Sequence, residues 1–492
     1  MTRVELIFVP APEVGHLVAA VELAKLLVRR DERISFSILI QKMPYDTGTG
    51  AFVEKLKKDD PDRMAFVDIP APSEATMTEL RSLSRTSFHE AFVSHQRTVV
   101  RDLVTEILKR SESSKLGGFV LDMFVTPMIE VANDFNVPAY VFFTSSAAFL
   151  NVMFYAQDLK DNKNLEISDY KDSDIELSVP GFSNLVPAKG LPSVILDKGG
   201  SDMMTSIARR LRKIKAIFVN TVLELEAHAI KSLIDDSNTP LIYHVGPLIN
   251  SEKGEPTSQK KKSNEDIINW LDRQPCSSVV FLCFGSKGSF DIEQVKEIAR
   301  ALELSGQRFL WSLRRPSENT EKREMPKDYE DYNGVLPEGF LERTSGIGKV
   351  IGWAPQVAIL SHPAVGGFVS HCGWNSTLES IWCGVPIATW PIYAEQQTNA
   401  FQLVKELGLA VEIKLDYRKD VIGDVSPVVT AEEIEVGIRR LMNGEGEMRN
   451  KVKTMKDVCR KALDEGGSSY SSVGKFIQEV IDNINQEITK GL

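Results

Sequence analysis

The chain has 492 residues, 42% hydrophobic and 26% charged, an ordinary globular composition with length for two large α/β domains or roughly three of average size. Its formal net charge of −10, with no basic stripe beyond the short Lys260-Lys-Lys262, argues against a nucleic acid or an anionic membrane as partner. Five cysteines without C-x-x-C spacing suit a reducing compartment, and neither an apolar leader nor a window of about eighteen apolar residues is found, so a soluble, cytoplasmic, monomeric protein without a membrane span is expected.

In chain order, short apolar runs alternate with helical patterns, as in parallel sheets flanked by helices. Strands are predicted over residues 4–9, 34–40, 64–69, 119–124, 139–144, 216–220 and 241–245. Helical patterns separate most of them; Leu17, Val21, Ala24 and Val28, for example, share one face. A polar stretch rich in turn formers, residues 250–263, then reads as a linker. Beyond it, strands are predicted over residues 279–284, 308–313, 349–352, 367–370, 386–390 and 409–413. All six tryptophans follow the linker, a shift in composition that supports two separate domains.

Two features of the first half carry chemistry. His16 follows the first strand through a Pro/Gly loop and opens the first helix, where an imidazole can work as a general base; the plainer reading is a helix residue and no more. Asp122 ends the run Phe119-Val-Leu-Asp122 at the same kind of strand end. A carboxylate there can fix the tautomer of an imidazole, or simply cap the helix that begins near Thr126.

In the second half the segment from Trp353 to Gln396 is the densest in polar chemistry. Val365-Gly-Gly-Phe-Val369 reads as a buried strand, Ser370 to Gly373 as a tight turn, and Asn375 to Trp382 as a helix stopped by Gly384 and Pro386. Its free N–H groups and dipole favour a phosphate, and His371, Asn375 and Ser376 add side-chain donors. Ser376-Thr-Leu-Glu379 also has the spacing of a capping box, as does Thr430-Ala-Glu-Glu433.

This segment resembles, without a gap, the nucleotide-sugar signature of the plant family 1 UDP-sugar-dependent glycosyltransferases. The likeness extends from Pro10-Ala-Pro-Glu-Val-Gly-His16 through Phe284-Gly-Ser-Lys-Gly-Ser289 and Phe309-Leu-Trp-Ser-Leu-Arg314 to the C-terminus. It implies two facing Rossmann-like domains of GT-B type with the active site in the interdomain cleft. Residues 1–249 would bind the acceptor, 250–264 would link, 265–470 would bind the UDP-sugar, and 471–492 would form a helix returning to the first domain.

The resemblance further implies inverting transfer of glucose from UDP-glucose to a hydroxyl of a flavonoid, other phenolic or triterpenoid, with no cofactor and no metal. His16 would be the base and Asp122 its partner. Trp353 would stack on uracil, the Ala354 backbone would read its edge, and Gln356 and Glu379 would hold the ribose. Ser286, His371, Asn375 and Ser376, with Gly373 in the turn, would hold the diphosphate; Glu395 and Gln396 would take sugar hydroxyls, with Trp374 and Thr144 nearby. Trp382 and Trp390 read mainly as core. The acceptor pocket would draw on Glu13, Phe124, Phe143 and Tyr393, with Phe88, Met153 and residues 196–204 around it.

Other classes remain open at this point. A nicotinamide-dependent oxidoreductase would show G-x-G-x-x-G after the first strand, where this chain has Pro-Ala-Pro-Glu-Val-Gly. A non-catalytic nucleotide-sugar-binding protein would have little use for His16 and Asp122, and a different sugar (galactose, xylose or rhamnose) is a further alternative. Asp172-Ser-Asp174 has the form of a metal-binding D-x-D but lies in a polar loop and reads as a solvated turn. Two residues depart from the family pattern: Glu13 in the first loop and Lys287 beside the diphosphate position. Glu13 either contacts the acceptor, perturbs the base or faces solvent, and Lys287 either sets a cation near the diphosphate or faces solvent.

Overall fold

The computed structural model describes residues 3–43, 49–59, 63–110, 114–250, 258–317, 325–419, 427–444 and 446–490. The chain divides into two compact units, one of Met1–Ser168, Asp197–Ile249 and Lys461–Leu492, the other of Asp169–Leu196 and Asn250–Arg460.

The first unit is built on a sheet of seven strands: β1 (Arg3–Val9), β2 (Ile34–Ile40), β3 (Met64–Asp68), β4 (Ser114–Asp122), β5 (Ala139–Phe143), β6 (Ala216–Val219) and β7 (Leu241–His244). All its pairings are parallel, in the order β3-β2-β1-β4-β5-β6-β7. Helices cover both faces of such a sheet, so its strands are apolar almost throughout, and every residue of β2 is buried. Glu5 interrupts β1 without penalty because Ser35 and Ser37 on the neighbouring strand donate their hydroxyls to its carboxylate.

The second unit repeats the arrangement with six strands: β8 (Val279–Cys283), β9 (Arg308–Ser312), β10 (Gly348–Ile351), β11 (Val365–Ser370), β12 (Ile387–Thr389) and β13 (Ala410–Glu412). Their order is β10-β9-β8-β11-β12-β13, again parallel. In each sheet the strand order therefore reverses beside the first strand of the unit, between β1 and β4 and between β8 and β11. Ligands of open α/β sheets bind at such a switch point, outside the carboxyl ends of the strands.

The units differ from a division at residue 249. Residues 169–196 join the second unit because the Ser183 and Asn184 N–H groups donate to the Glu406 carboxylate, Arg418 donates to the Lys189 and Leu191 carbonyls, and Phe182 meets Phe401. The return to the first unit begins at Lys461, and the helix Ser468–Lys490 buries Val473, Phe476, Val480 and Ile484 in that unit's core. Of the expected 250–264 linker, residues 251–257 lie outside the described residues. From Ser258 the chain is already a helix, Ser258–Leu271, fixed by the buried Ile267 and Leu271 one turn apart.

Candidate active site

In the first unit the switch point gathers His16, Asp122 and Thr144. Glu13 is the extended N-cap of the helix Val14–Arg30 and gives its carbonyl to the Leu17 N–H, which places His16 in the first turn above the end of β1. His16 Nδ1 lies 2.7 Å from Asp122 Oδ2 and 2.9 Å from the Thr144 hydroxyl. Asp122 is buried, whereas His16 keeps 24% of its side chain exposed. Asp122 Oδ1 accepts the Phe124 N–H and caps the short 3-10 helix Met123–Met128, which starts earlier than the expected helix near Thr126, and Oδ2 faces the imidazole. With Nδ1–H committed to the carboxylate, the tautomer leaves Nε2 with its lone pair.

Thr144 thus stands beside His16 in the first unit, whereas the other residues assigned to the UDP-sugar belong to the second. Phe124 lies between two imidazoles, its ring centroid 5.5 Å from that of His16 and 5.8 Å from that of His89. His89 carries no sequence signal. Burial holds its pKa below the usual histidine value against the opposing pull of Asp122 and Glu13. Phe143, expected in the acceptor pocket, is fully buried in β5 and packs on Phe149. Met153 is likewise fully buried, and Phe88 is buried against Phe92.

In the second unit the polar residues of the signature collect at the carboxyl ends of β8, β10, β11 and β12. His371 follows β11 and is enclosed by two glycines: a Cβ at Gly285 would fall 2.6 Å from its Nε2, and one at Gly373 2.5 Å. Gly285 also has φ +75°, a second reason for glycine there. Burial pushes the His371 pKa down to about 4, so the ring is neutral at physiological pH and presents a single N–H. Its Nδ1 has no hydrogen-bond partner among the described residues. Ser286 follows β8 in the adjoining turn, and Lys287 beside it is exposed.

The helix after this turn is Trp374–Cys383 with Gly373 as its N-cap. Ser376 and Glu379 are therefore interior residues of the helix, and the capping-box reading of Ser376-Thr-Leu-Glu379 fails. Gln356 Nε2 donates to both of them, 2.8 Å to Ser376 Oγ and 2.6 Å to Glu379 Oε2. Burial pushes the Glu379 carboxyl up to about 7, opposed by the Gln356 hydrogen bond. A carboxylate with no cation beside it among the described residues, recessed and served by one amide, is suited to accept further hydroxyl donors.

Trp353 follows β10 and is 47% exposed, whereas Ala354 and Trp374 are buried. Trp390 is core, as expected, between Phe284, Phe290 and Tyr417. Trp382 is not: it is half-buried under the Arg460 guanidinium. Gln396 is buried, with Oε1 taking the Ile392 and Tyr393 N–H groups at 2.9 and 3.0 Å, so only its amide N–H groups remain for a ligand. Glu395 is the N-cap of Gln396–Phe401 and meets Asn399, which also binds the Cys372 carbonyl. Tyr393 stands 6.3 Å from His371, ring to ring, in this unit.

Known proteins are similar to this chain over nearly its whole length. The profile of the family described as UDP-glucoronosyl and UDP-glucosyl transferase matches residues 207–437. The chain is 52% identical over 484 residues to UDP-glucose flavonoid 3-O-glucosyltransferase 6 of Fragaria ananassa, covering 97% of this chain and 98% of that one. It is 53% identical over 488 residues to UDP-glycosyltransferase 71E1 of Stevia rebaudiana, covering 98% and 99%. This chain belongs to the plant family 1 UDP-glycosyltransferases. Among solved structures, a transferase from Siraitia grosvenorii in complex with UDP aligns with TM-score 0.86 and 46% identity over 97% of this chain and all of that one. Medicago truncatula UGT71G1 complexed with UDP-glucose aligns with TM-score 0.83 and 41% identity over 97% and 98%.

This UDP-glycosyltransferase is accordingly an enzyme of two Rossmann-like domains, of GT-B type, with a UDP-sugar as co-substrate. Among its described residues no helix is long and apolar enough to cross a membrane, and no group of three or more His, Cys, Asp and Glu side chains could hold a metal ion. Asp174, of the D-x-D sequence, is exposed and paired with Lys189.

Proposed function

We infer that this glycosyltransferase transfers glucose from UDP-glucose, with inversion, to a hydroxyl of an apolar small molecule of the flavonoid, other phenolic or triterpenoid type. The observation that carries the reading is the 2.7 Å contact of His16 Nδ1 with Asp122, which leaves Nε2 to take the acceptor proton. The acceptor oxygen then forms its bond to the anomeric carbon as the bond from that carbon to the β-phosphate oxygen breaks. UDP leaves, and the Asp122 carboxylate stabilises the imidazolium until the proton passes to solvent.

The transition state is oxocarbenium-like, so negative charge grows on the leaving diphosphate. Neutral His371, the hydroxyls of Ser286 and Ser376 and the N-terminus of the helix Trp374–Cys383 supply donors for that charge without a divalent ion. Trp353 offers an exposed indole for uracil, and Gln356 with Glu379 offers a donor and an acceptor for the ribose. Glucose rests on the names of the relatives, one a UDP-glucose flavonoid glucosyltransferase and another solved with UDP-glucose. Phe124 beside His16 is the apolar wall available to an acceptor ring.

The test supplies purified enzyme with a panel of flavonoid, simple phenolic and triterpenoid acceptors and with UDP-glucose, UDP-galactose or UDP-glucuronate, before and after EDTA. UDP-glucose should give the largest kcat/KM, the product should be a β-glucoside, and EDTA should leave most of the activity. A larger kcat/KM for another donor, or complete loss restored only by magnesium or manganese, would overturn the corresponding part of the reading.

A further inference from the structure

The segment Phe309-Leu-Trp-Ser-Leu-Arg314 is part of the family resemblance, yet the reaction as derived uses none of its side chains. Its last residue, Arg314, leaves the end of β9 and enters a short antiparallel ladder in which Arg314 lies opposite Asp328 and Arg315 opposite Lys327. Opposite charges facing each other across such a pair hold one another in place. Arg314 Nε is 3.1 Å from Asp328 Oδ1, and its Nη2 donates to the Pro326 carbonyl. The arginine side chain is 11% exposed, so its guanidinium is held rather than waving in solvent.

That guanidinium lies over the Trp353 ring, 5.2 Å from its centroid. Asp328 bears on the same tryptophan through the backbone. Its carboxylate rests against Gly352, the residue before Trp353, so closely that a Cβ at Gly352 would fall 2.4 Å from the carboxyl carbon. The Gly352 carbonyl accepts the Ser312 hydroxyl at 2.7 Å, which ties the root of the Trp353 loop to β9. A half-exposed indole otherwise samples several rotamers, and ordering it opposes any stacking on its face. A fixed cation over one face holds the ring by cation–π attraction.

We propose that Arg314 and Asp328 form a clamp that presents Trp353 as a preformed platform for the uracil base. Arg314 is a positioning residue that does not touch the nucleotide. The proposal rests on the stacking role given to Trp353 above, and the variants separate the two. In Trp353→Ala, uridine and UDP binding measured by calorimetry should weaken strongly. In Arg314→Ala, the Kd of both and the KM for UDP-glucose should rise about three- to tenfold, from a cation–π contact of ordinary strength, with kcat at saturating donor unchanged. The Kd of inorganic diphosphate should not move. Arg314→Lys, which keeps the charge and loses the planar fork, should fall between wild type and Arg314→Ala.

Wild-type uridine affinity in Arg314→Ala with a weakened Trp353→Ala would overturn the clamp and leave the stacking intact. Wild-type affinity in Trp353→Ala would overturn both. Parallel losses of kcat, melting temperature and diphosphate binding in Arg314→Ala would mean a merely structural arginine and also overturn the clamp. If Arg314→Ala does not fold, Arg314→Lys and Asp328→Asn decide, and uridine affinity unchanged in both rejects it.

Discussion

His16 Nδ1 and Asp122 Oδ2 stand 2.7 Å apart across 106 residues of sequence, while the other oxygen of the same carboxylate caps the turn at Phe124. One buried side chain thus holds the backbone that carries it and the imidazole that it orients. Removing the imidazole should remove the base and little else. His16→Ala is expected to lose on the order of 10²-fold or more in kcat, with UDP affinity by calorimetry near wild type. Asp122→Asn should keep the Phe124 cap and lose the support for the imidazolium, giving a smaller or comparable loss in kcat.

Glu379 and Glu433 occupy the same sequence pattern and differ in structure, so they give a paired test. Thr430 and Glu433 form a true capping box at the start of Ala431–Asn443. Thr430→Ala should cost about 1 kcal/mol of stability in thermal or denaturant unfolding and leave UDP affinity alone. Glu379→Ala should weaken UDP binding by more than about tenfold at nearly unchanged melting temperature, since hydrogen bonds to a charged group are worth about 1.5–3 kcal/mol each. Normal UDP binding in Glu379→Ala would reject its ribose role.

The raised carboxyl of Glu379 predicts a proton released on binding. In the free enzyme burial places its pKa at about 7, and ribose hydroxyls donating to the carboxylate would lower it. Affinity should therefore be fully present above that pKa and decline as pH falls through about 7. Uridine, which has no phosphate to titrate, is the ligand of choice. Calorimetry near pH 7 in buffers of different ionisation enthalpy should show proton release, absent in Glu379→Gln; proton uptake or no exchange in the wild type would contradict the assignment.

The enclosure of His371 is testable from its walls. Alanine at Gly373 or Gly285 places a Cβ only 2.5 or 2.6 Å from His371 Nε2, too close for the ring to stay, and at Gly285 adds the strain of φ +75°. Both variants should lose on the order of tenfold or more in kcat/KM for UDP-glucose, because a preorganised donor to the leaving diphosphate is displaced. Gly346→Ala, where a Cβ meets nothing within 4 Å, is the control and should behave as wild type.

Local sequence determined much of this protein. The inner strands of both sheets fall on apolar runs, because a parallel strand buried on both faces must be apolar along its length, whereas the edge strands β3, β7, β10 and β13 are only partly buried. The Pro/Gly loop before His16 and the Thr430 capping box were legible for the same reason: backbone preference and burial act over a few residues. Neither His16 nor Asp122 carries a local pattern that names its partner, so only the family resemblance pairs them in the sequence.

Tertiary structure decided the rest, because strand order and side-chain facing depend on contacts between distant segments. Placing β4 beside β1 is what joins Asp122 to His16 and Thr144. Residues 169–196 belong to the second unit through Glu406 and Arg418, far along the chain. Gly373, not a serine, caps the helix of Ser376 and Glu379 because the turn after β11 had first to make room for His371. Periodicity records whether a residue is buried; only the completed sheets record against what.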